Sequence, residues 1–360
     1  MIPMKTERIA RVIARMQEEN LTQIVVTDPN SVFYLTGMMI HPGERMLALL
    51  VKDSGDVTLF ANRLFALTDI STVPLVEYDD TEDSVAILAA CLTPGNIGID
   101  KFWPSQFTIR LMSARKDITP VLGSRPVDLC RMCKDAEEIE YMIKASQIND
   151  QLTDKTIRAI QPGMTEEQVA GIYSGYAKEM GITGSSFEAL ICFGANCAEP
   201  HHGTDGTVLK SGDSIILDVG VPYQRYCSDM TRTVFFQSAT DEQKRVYEIC
   251  EKANAAGRAA VRPGVLMKDI DRAARKVIED AGYGKYFIHR TGHSIGLDVH
   301  ELPDVSATSE AVALPGMCFS VEPGIYLPGQ FGVRVEDLVC VTEDGCLTLN
   351  QLTKDFRIIG

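Results

Sequence analysis

Gly212-Asp213-Ser214-Ile215-Ile216-Leu217-Asp218-Val219-Gly220 is an apolar strand pattern with one carboxylate near its end. The chain repeats the pattern as Gly316-Met317-Cys318-Phe319-Ser320-Val321-Glu322-Pro323-Gly324, 104 residues on, which lays Asp218 on Glu322. The echo extends outward from this core. Gln161-Pro162-Gly163, a helical run and Gly181-Ile182 match Arg262-Pro263-Gly264, a helical run and Gly282-Tyr283, both at an offset of 101. Asp229 and Glu336 match at 107, each inside a β-rich run. Pro-Gly pairs recur by chance, but several matches in one order with small drift indicate a duplicated α+β unit. Such a unit would fold about a pseudo-twofold axis and supply one carboxylate pair from each half.

A carboxylate inside an apolar strand is costly to bury unless something pairs with it. A single one is read most simply as an edge charge facing water. Four at repeat-related positions, Asp218, Asp229, Glu322 and Glu336, repel one another, and divalent cations are the natural compensation. His293 stands in Thr291-Gly-His-Ser-Ile-Gly, between glycines that permit a turn. Alone it reads as a satisfied polar side chain. Beside four carboxylates it becomes the one nitrogen donor of an oxygen-rich site, a mixture suited to Mn²⁺, Co²⁺, Fe²⁺ or Zn²⁺ rather than to a thiolate-type zinc site.

The first 130 residues alternate helical and strand-like stretches, the pattern of a small α/β domain. Helices are expected over 5–19 and 81–92, and strands over 23–27, 46–51, 57–60 and 97–100. No phosphate-cradling glycine loop is present, and a scaffold or lid is the plain reading of this part. Residues 130–134 read as a connector, and the second domain is placed at 135–360. Asp135 opens a helix-favouring run that Pro162-Gly163 ends. Thr165 then opens another helix, with Gln168 at the capping-box position.

With 360 residues, two domains are the better prior, and 45% hydrophobic content provides for a sizeable core. A net charge of −14 argues against nucleic acid as a partner. No stretch is long and apolar enough to span a bilayer. Residues 1–20 lack the apolar centre of a secretory signal. Ten scattered cysteines read as reduced thiols. A cytoplasmic protein with no membrane partner is expected.

Together these residues resemble the pita-bread metallopeptidases, the family of prolidase, aminopeptidase P, methionine aminopeptidase and metal-free creatinase. The resemblance covers nearly the whole chain. Residues 1–130, including Asp28-Pro-Asn-Ser-Val-Phe-Tyr-Leu-Thr-Gly, look like the creatinase-type N-terminal domain, and the rest resembles the catalytic domain. The resemblance implies two divalent metal ions, Mn²⁺ first among them, on Asp218, Asp229, His293, Glu322 and Glu336. All five chemical types match, which argues against the metal-free creatinase branch.

It further implies catalytic roles for His201, His300 and Glu322, and substrate contacts for His289, Arg334 and Tyr326. His201 is assigned by spacing, and its neighbour His202 is the alternative. Arg334 reads equally as a structural salt bridge, and Tyr326 as a packed core ring. Some relatives carry an arginine where Asp304 stands. The large N-terminal domain favours the proline-specific branch. The activity implied is hydrolysis of the bond before proline in Xaa-Pro dipeptides. An Xaa-Pro aminopeptidase acting on longer peptides is the alternative, and a non-catalytic peptide-binding module is a third reading. A homodimer is also implied.

Overall fold

The computed structural model describes residues 4–360; residues 1–3, the start of the stretch read for a signal, lie outside the described residues. The chain divides into two compact units, one ending at Arg131 and one running Met132–Gly360.

In the first unit, α1 (Thr6–Glu18) turns Ile9, Val12 and Met16 to one buried face, the spacing of an amphipathic helix. After β1 (Gln23–Val26) comes α2 (Pro29–Thr36). Asp28 caps it by accepting from the Ser31 N–H, Pro29 stands in its first turn, and Gly37 ends it in the left-handed region at φ 75°. Then follow β2 (Ala48–Lys52), β3 (Val57–Asn62), β4 (Leu75–Tyr78), α3 (Ser84–Ala90), β5 (Gly95–Ile99), α4 (Ser105–Ala114), β6 (Ile118–Leu122) and α5 (Arg125–Met132). The strands make one mixed six-stranded sheet, ordered β4-β3-β2-β1-β5-β6. Val25, Leu50, Phe60 and Ile97 of the sheet pack on Val85 and Leu88 of α3 and on Phe107 and Leu111 of α4. The expected strands are all present, with shifted ends. Two corrections concern helices: 81–92 shortens to α3, and 130–134 is no plain connector, because α5 continues through Met132.

The second unit opens with α6 (Ala136–Ala159) and α7 (Glu166–Glu179). Each begins with a capping box, Asp135 with Glu138 and Thr165 with Gln168, a cap contributing about 1 kcal/mol. β7 (Leu190–Phe193) and β8 (Ser214–Val219) lead to a hairpin of β9 (Pro222–Tyr223) and β10 (Tyr226–Cys227), then to β11 (Met230–Phe236). The second pass has α8 (Asp241–Ala260), α9 (Met267–Asp280), β12 (Gly292–Ser294), β13 (Glu301–Val305) and β14 (Cys318–Val321). A hairpin of β15 (Gly324–Leu327) and β16 (Phe331–Arg334) precedes β17 (Asp337–Val341), β18 (Cys346–Thr348) and β19 (Ile358–Ile359).

The sequence echo is an architectural one. A helix pair followed by two antiparallel strands occurs twice: α6–α7 with β8 and β11, and α8–α9 with β14 and β17. Asn149 of α6 donates to the Val219 carbonyl at 2.7 Å, and Asn254 of α8 donates to the Val321 carbonyl at 2.8 Å. Isolated bridges Thr165–Val208 and Leu266–Val312 repeat as well. The strands form two main sheets, β19-β11-β8-β7 and β13-β12-β14-β17-β18. Leu152, Val169 and Tyr173 cover Ile215, Leu217 and Val234 of the first, and Met267 and Ile270 cover Phe319 and Val339 of the second.

Candidate active site

The duplicated strand pairs set the carboxylates at equivalent places. Asp218 is the last residue but one of β8, and Asp229 immediately precedes β11. Glu322 immediately follows β14, and Glu336 immediately precedes β17. His293 is the middle residue of β12. All five line one cavity of about 640 Å³, a size typical of small-ligand sites.

The glycine before His293 has a purpose other than the expected turn. Residues 292–294 are a strand, with a register irregularity between His293 and Ser294. A Cβ on Gly292 would overlap the Ser320 carbonyl oxygen, so glycine alone permits β12 to approach β14 this closely. The approach brings His293 and Glu322 together. The His293 N–H donates to Ser320 Oγ at 3.0 Å, Ser320 Oγ donates to Glu322 Oε1 at 3.2 Å, and the Glu322 N–H donates to the Thr291 carbonyl at 2.8 Å.

The donor set fits divalent cations. His293 Nδ1 lies 3.2 Å from the Ser294 carbonyl, which accepts only, so Nδ1 carries the proton and Nε2 presents a lone pair. That lone pair lies 3.6 Å from Asp229 Oδ2 and 3.5 Å from Glu322 Oε1. Three acceptors facing one another repel unless a cation lies between them. Among the described residues, Oδ1 of Asp218 and Oδ1 of Asp229 are buried without a hydrogen-bond partner, and each such atom is costly. Ligand atoms of Asp229, His293 and Glu336 all lie within 4.8 Å of one another. Without a cation the site holds protons instead. Burial, then the negative charge of neighbouring carboxylates, pushes Asp229 and Glu336 well above the usual carboxylate range. Burial raises Glu322 to about 7 against the pull of Arg334, and lowers His293 to about 3.

Behind these ligand candidates runs a hydrogen-bond chain. Arg334 Nη2 donates to Asp218 Oδ2 at 2.6 Å, its Nε to Thr231 Oγ1 at 3.0 Å, and its Nη1 to the Tyr326 hydroxyl at 3.0 Å. Thr231 Oγ1 donates to Glu336 Oε2 at 2.6 Å. The Tyr326 hydroxyl lies 2.8 Å from His289 Nε2, and His289 Nδ1 lies 2.7 Å from the Arg290 carbonyl. Burial, then the Arg334 charge, lowers His289 to about 4, so its ring is neutral and accepts from the tyrosine. Tyr326 itself is only 2% exposed and lines no part of the cavity.

His201, His289, His300 and Arg334 all line the cavity with the five. The His300 ring meets that of His293 edge-on at 4.2 Å. His202 turns away, with Nε2 3.6 Å from Glu166 Oε2 and 3.4 Å from Asp205 Oδ2. Two residues not singled out in the sequence emerge here. Glu166, at the first position of α7, is buried and accepts from the backbone of Phe193 and Asp205 at 2.7 and 3.0 Å. Arg290 lines the cavity and donates to Asp304 Oδ1 at 2.6 Å. Its place beside His289 was the available signal.

Comparison with known proteins agrees with this geometry. Residues 140–343 match the model of metallopeptidase family M24, and residues 8–133 match that of the creatinase/prolidase N-terminal domain. The chain belongs to metallopeptidase family M24. It has the pita-bread catalytic fold preceded by a creatinase-type domain, and it is a metallopeptidase acting on peptides. Divalent metal ions are the cofactors that membership of this family implies. The chain is 36% identical to an uncharacterised peptidase of Staphylococcus saprophyticus, over 95% of this chain and 97% of that one. A prolidase of Thermococcus sibiricus superposes with a TM-score of 0.94 at 32% identity, covering 98% of each chain. An X-Pro aminopeptidase of Thermotoga maritima superposes at 0.83 and 28%, covering 96% of this chain and all of the other. No helix among the described residues is long and apolar enough to cross a membrane.

Proposed function

We propose that this chain hydrolyses the bond preceding proline in Xaa-Pro dipeptides. Asp218, Asp229, His293, Glu322 and Glu336 hold two divalent ions, Mn²⁺ being the first to test. The observation that carries the reading is the single cavity in which these five donors meet His201, His289 and His300, together with the likeness to a prolidase over the whole chain.

Bound ions supply Lewis acidity and lower the pKa of water beside them. Glu322 takes the proton from the attacking water, its carboxylate standing in the same cavity as the other ligand candidates. His201 and His300 donate hydrogen bonds to the developing oxyanion and to the substrate backbone. His289 meets the proline side with a neutral ring. Arg334 orients Asp218 and, through Thr231, Glu336, so it acts on the ligands. Tyr326 acts behind the wall, holding Arg334 and His289. The bond before proline has no N–H and a fixed ring, which defeats sites that read an extended backbone through that N–H.

A second reading, an Xaa-Pro aminopeptidase, draws support from Asp304 at the place where some relatives have an arginine, and from the likeness to the Thermotoga enzyme. Incubation with Mn²⁺ and either an Xaa-Pro dipeptide or an Xaa-Pro-Yaa tripeptide separates the two. Release of proline from the dipeptide is expected. Cleavage of the tripeptide alone would transfer the assignment to the aminopeptidase, and cleavage of neither would overturn both. The domains are proposed at 1–130 and 135–360, in a cytoplasmic homodimer whose mass light scattering would measure.

A further inference from the structure

His201 lines the cavity from an exposed position in a loop. Among the described residues, none hydrogen-bonds to its ring. A donor to a developing oxyanion has to be in place before the charge appears, so whatever fixes His201 acts through the backbone. On the cavity side, Arg334 Nη1 donates to the Pro200 carbonyl at 3.5 Å. On the far side the loop hangs from Glu166.

Glu166 opens α7 and is fully buried. A carboxylate so placed needs donors, and a helix N-terminus favours its charge. Its Oε1 accepts from the Phe193 N–H at 2.7 Å and from Asn196 Nδ2 at 2.9 Å. Its Oε2 accepts from the Asp205 N–H at 3.0 Å. Two of these donors precede His201 and one follows it, so a single side chain clamps both ends of the stretch 193–205. The helix returns the contact, the Glu166 and Glu167 N–H groups donating to the Thr207 and Asp205 carbonyls at 3.2 and 3.1 Å. Thr204 ties the loop to β7, its hydroxyl donating to the Ala189 carbonyl and accepting from the Ile191 N–H, both at 2.8 Å. His202 is turned toward the clamp, with Nε2 3.6 Å from Glu166 Oε2 and 3.4 Å from Asp205 Oδ2. Its neighbour His201 is left facing the cavity.

We infer that Glu166 is the positioning residue of His201: by clamping the loop at both ends it sets where that imidazole stands, while lining no part of the cavity itself. This inference rests on the peptidase reading proposed above and on the role of His201 within it. His201 acts on the transition state, so a loosened clamp lowers kcat rather than raising KM. The five metal-ligand candidates make no contact with Glu166 among its hydrogen bonds, so metal binding is untouched.

The test is a double-mutant cycle on the Mn²⁺-loaded enzyme, with the Xaa-Pro peptide that wild type cuts. Glu166→Gln keeps the volume but turns an acceptor into a donor that faces a donor. It should lower kcat by roughly 10- to 100-fold, the range for a small misplacement, and change KM by less than about threefold. In a His201→Ala background the same substitution should change kcat by less than about twofold, because the group it positions is gone. A merely structural role would give the same loss in both backgrounds. Asn196→Ala removes one arm of the clamp and keeps the test open if Glu166→Gln fails to fold; it should repeat the pattern at roughly 3- to 10-fold. Two readouts stand apart from activity. The Asp205 amide should lose hydrogen-exchange protection in Glu166→Gln, and calorimetry should find Mn²⁺ affinity within about twofold of wild type. Equal kcat losses with and without His201, or a fall in Mn²⁺ affinity matching the fall in kcat, would overturn the inference and leave the peptidase reading intact. A His201→Ala variant as active as wild type would overturn it together with the role of His201. A wild type that cuts no Xaa-Pro peptide would remove the reading itself and the inference with it.

Discussion

Arg334 Nη2 lies 2.6 Å from Asp218 Oδ2, in a pair whose side chains are 4% and 14% exposed. The guanidinium thus serves a carboxylate of the site and, through Thr231, a second one, Glu336. Removing one partner of such a buried pair leaves the other charge stranded, at a cost of about 3–5 kcal/mol. Arg334→Met is therefore expected to lower stability in urea by that amount and to weaken metal binding. Arg334→Lys should recover only a fraction, because a point charge cannot reach Asp218, Thr231 and Tyr326 together. A methionine variant as stable as wild type would show that the chain of hydrogen bonds contributes nothing.

Above about pH 6.5, where His289 and His293 are neutral in the folded and the unfolded chain, the metal-free protein should lose stability as the pH rises. Glu322 titrates in the unfolded chain near the ordinary 4.5 but in the fold at about 7. Between those values the folded state binds the extra proton, so this group's contribution is fully present below 4.5 and is lost as the pH rises through 7; His289 and His293, lowered to about 4 and about 3, act in the opposite sense below their ordinary 6.5. The shift corresponds to about 3 kcal/mol for this group, and Asp229 and Glu336 move in the same direction. Mn²⁺ should reverse the trend by displacing the protons. Melting curves from about pH 6.5 upward, with chelator and with Mn²⁺, test this. Apo stability that rises with pH would contradict the burial of these carboxylates.

Gly292→Ala places a methyl group against the Ser320 carbonyl, which cannot move without shifting β14 and Glu322. A loss of metal affinity by an order of magnitude or more is expected, since ligand geometry tolerates little displacement. Titration calorimetry with Mn²⁺ reads it directly. Unchanged affinity would mean that the close strand approach does not set the site.

His201 and His202 should separate in kinetics. His201→Ala is expected to cost kcat about 10²–10³-fold, as removal of an oxyanion donor does. His202 lies between Glu166 and Asp205, outside the cavity lining, and its alanine variant should lose less than about tenfold. Equal losses would mean that the assignment by position is wrong.

These cases also show what could be read from the sequence. The echo at Asp218 and Glu322 was legible because each carboxylate interrupts an apolar strand, and the structure makes those strands the repeated β8 and β14. The capping boxes at Asp135 and Thr165 were legible because capping is local. Other features depend on neighbours distant in the chain. α2 has little amphipathic signal because most of it is buried, and β6 carries Pro120 within an edge strand. The glycines around His293 suggested a turn, whereas Gly292 answers to the Ser320 backbone, which no local pattern reveals. Tyr326 and Arg334 left two readings open, because only the fold shows that they face each other at 3.0 Å. Arg290 stood beside His289 in the sequence, but its ion pair became visible only when the fold brought Asp304 across from β12.

The most direct test is anomalous diffraction from crystals grown with Mn²⁺, read at the metal edge. Two peaks are expected, both within coordination distance of Asp218, Asp229, His293, Glu322 and Glu336, and both weakened or lost in Asp229→Ala. Density at the other acid-and-histidine group, Glu166, His202 and Asp205, with none at these five, would contradict the metal centre and the peptidase chemistry built on it.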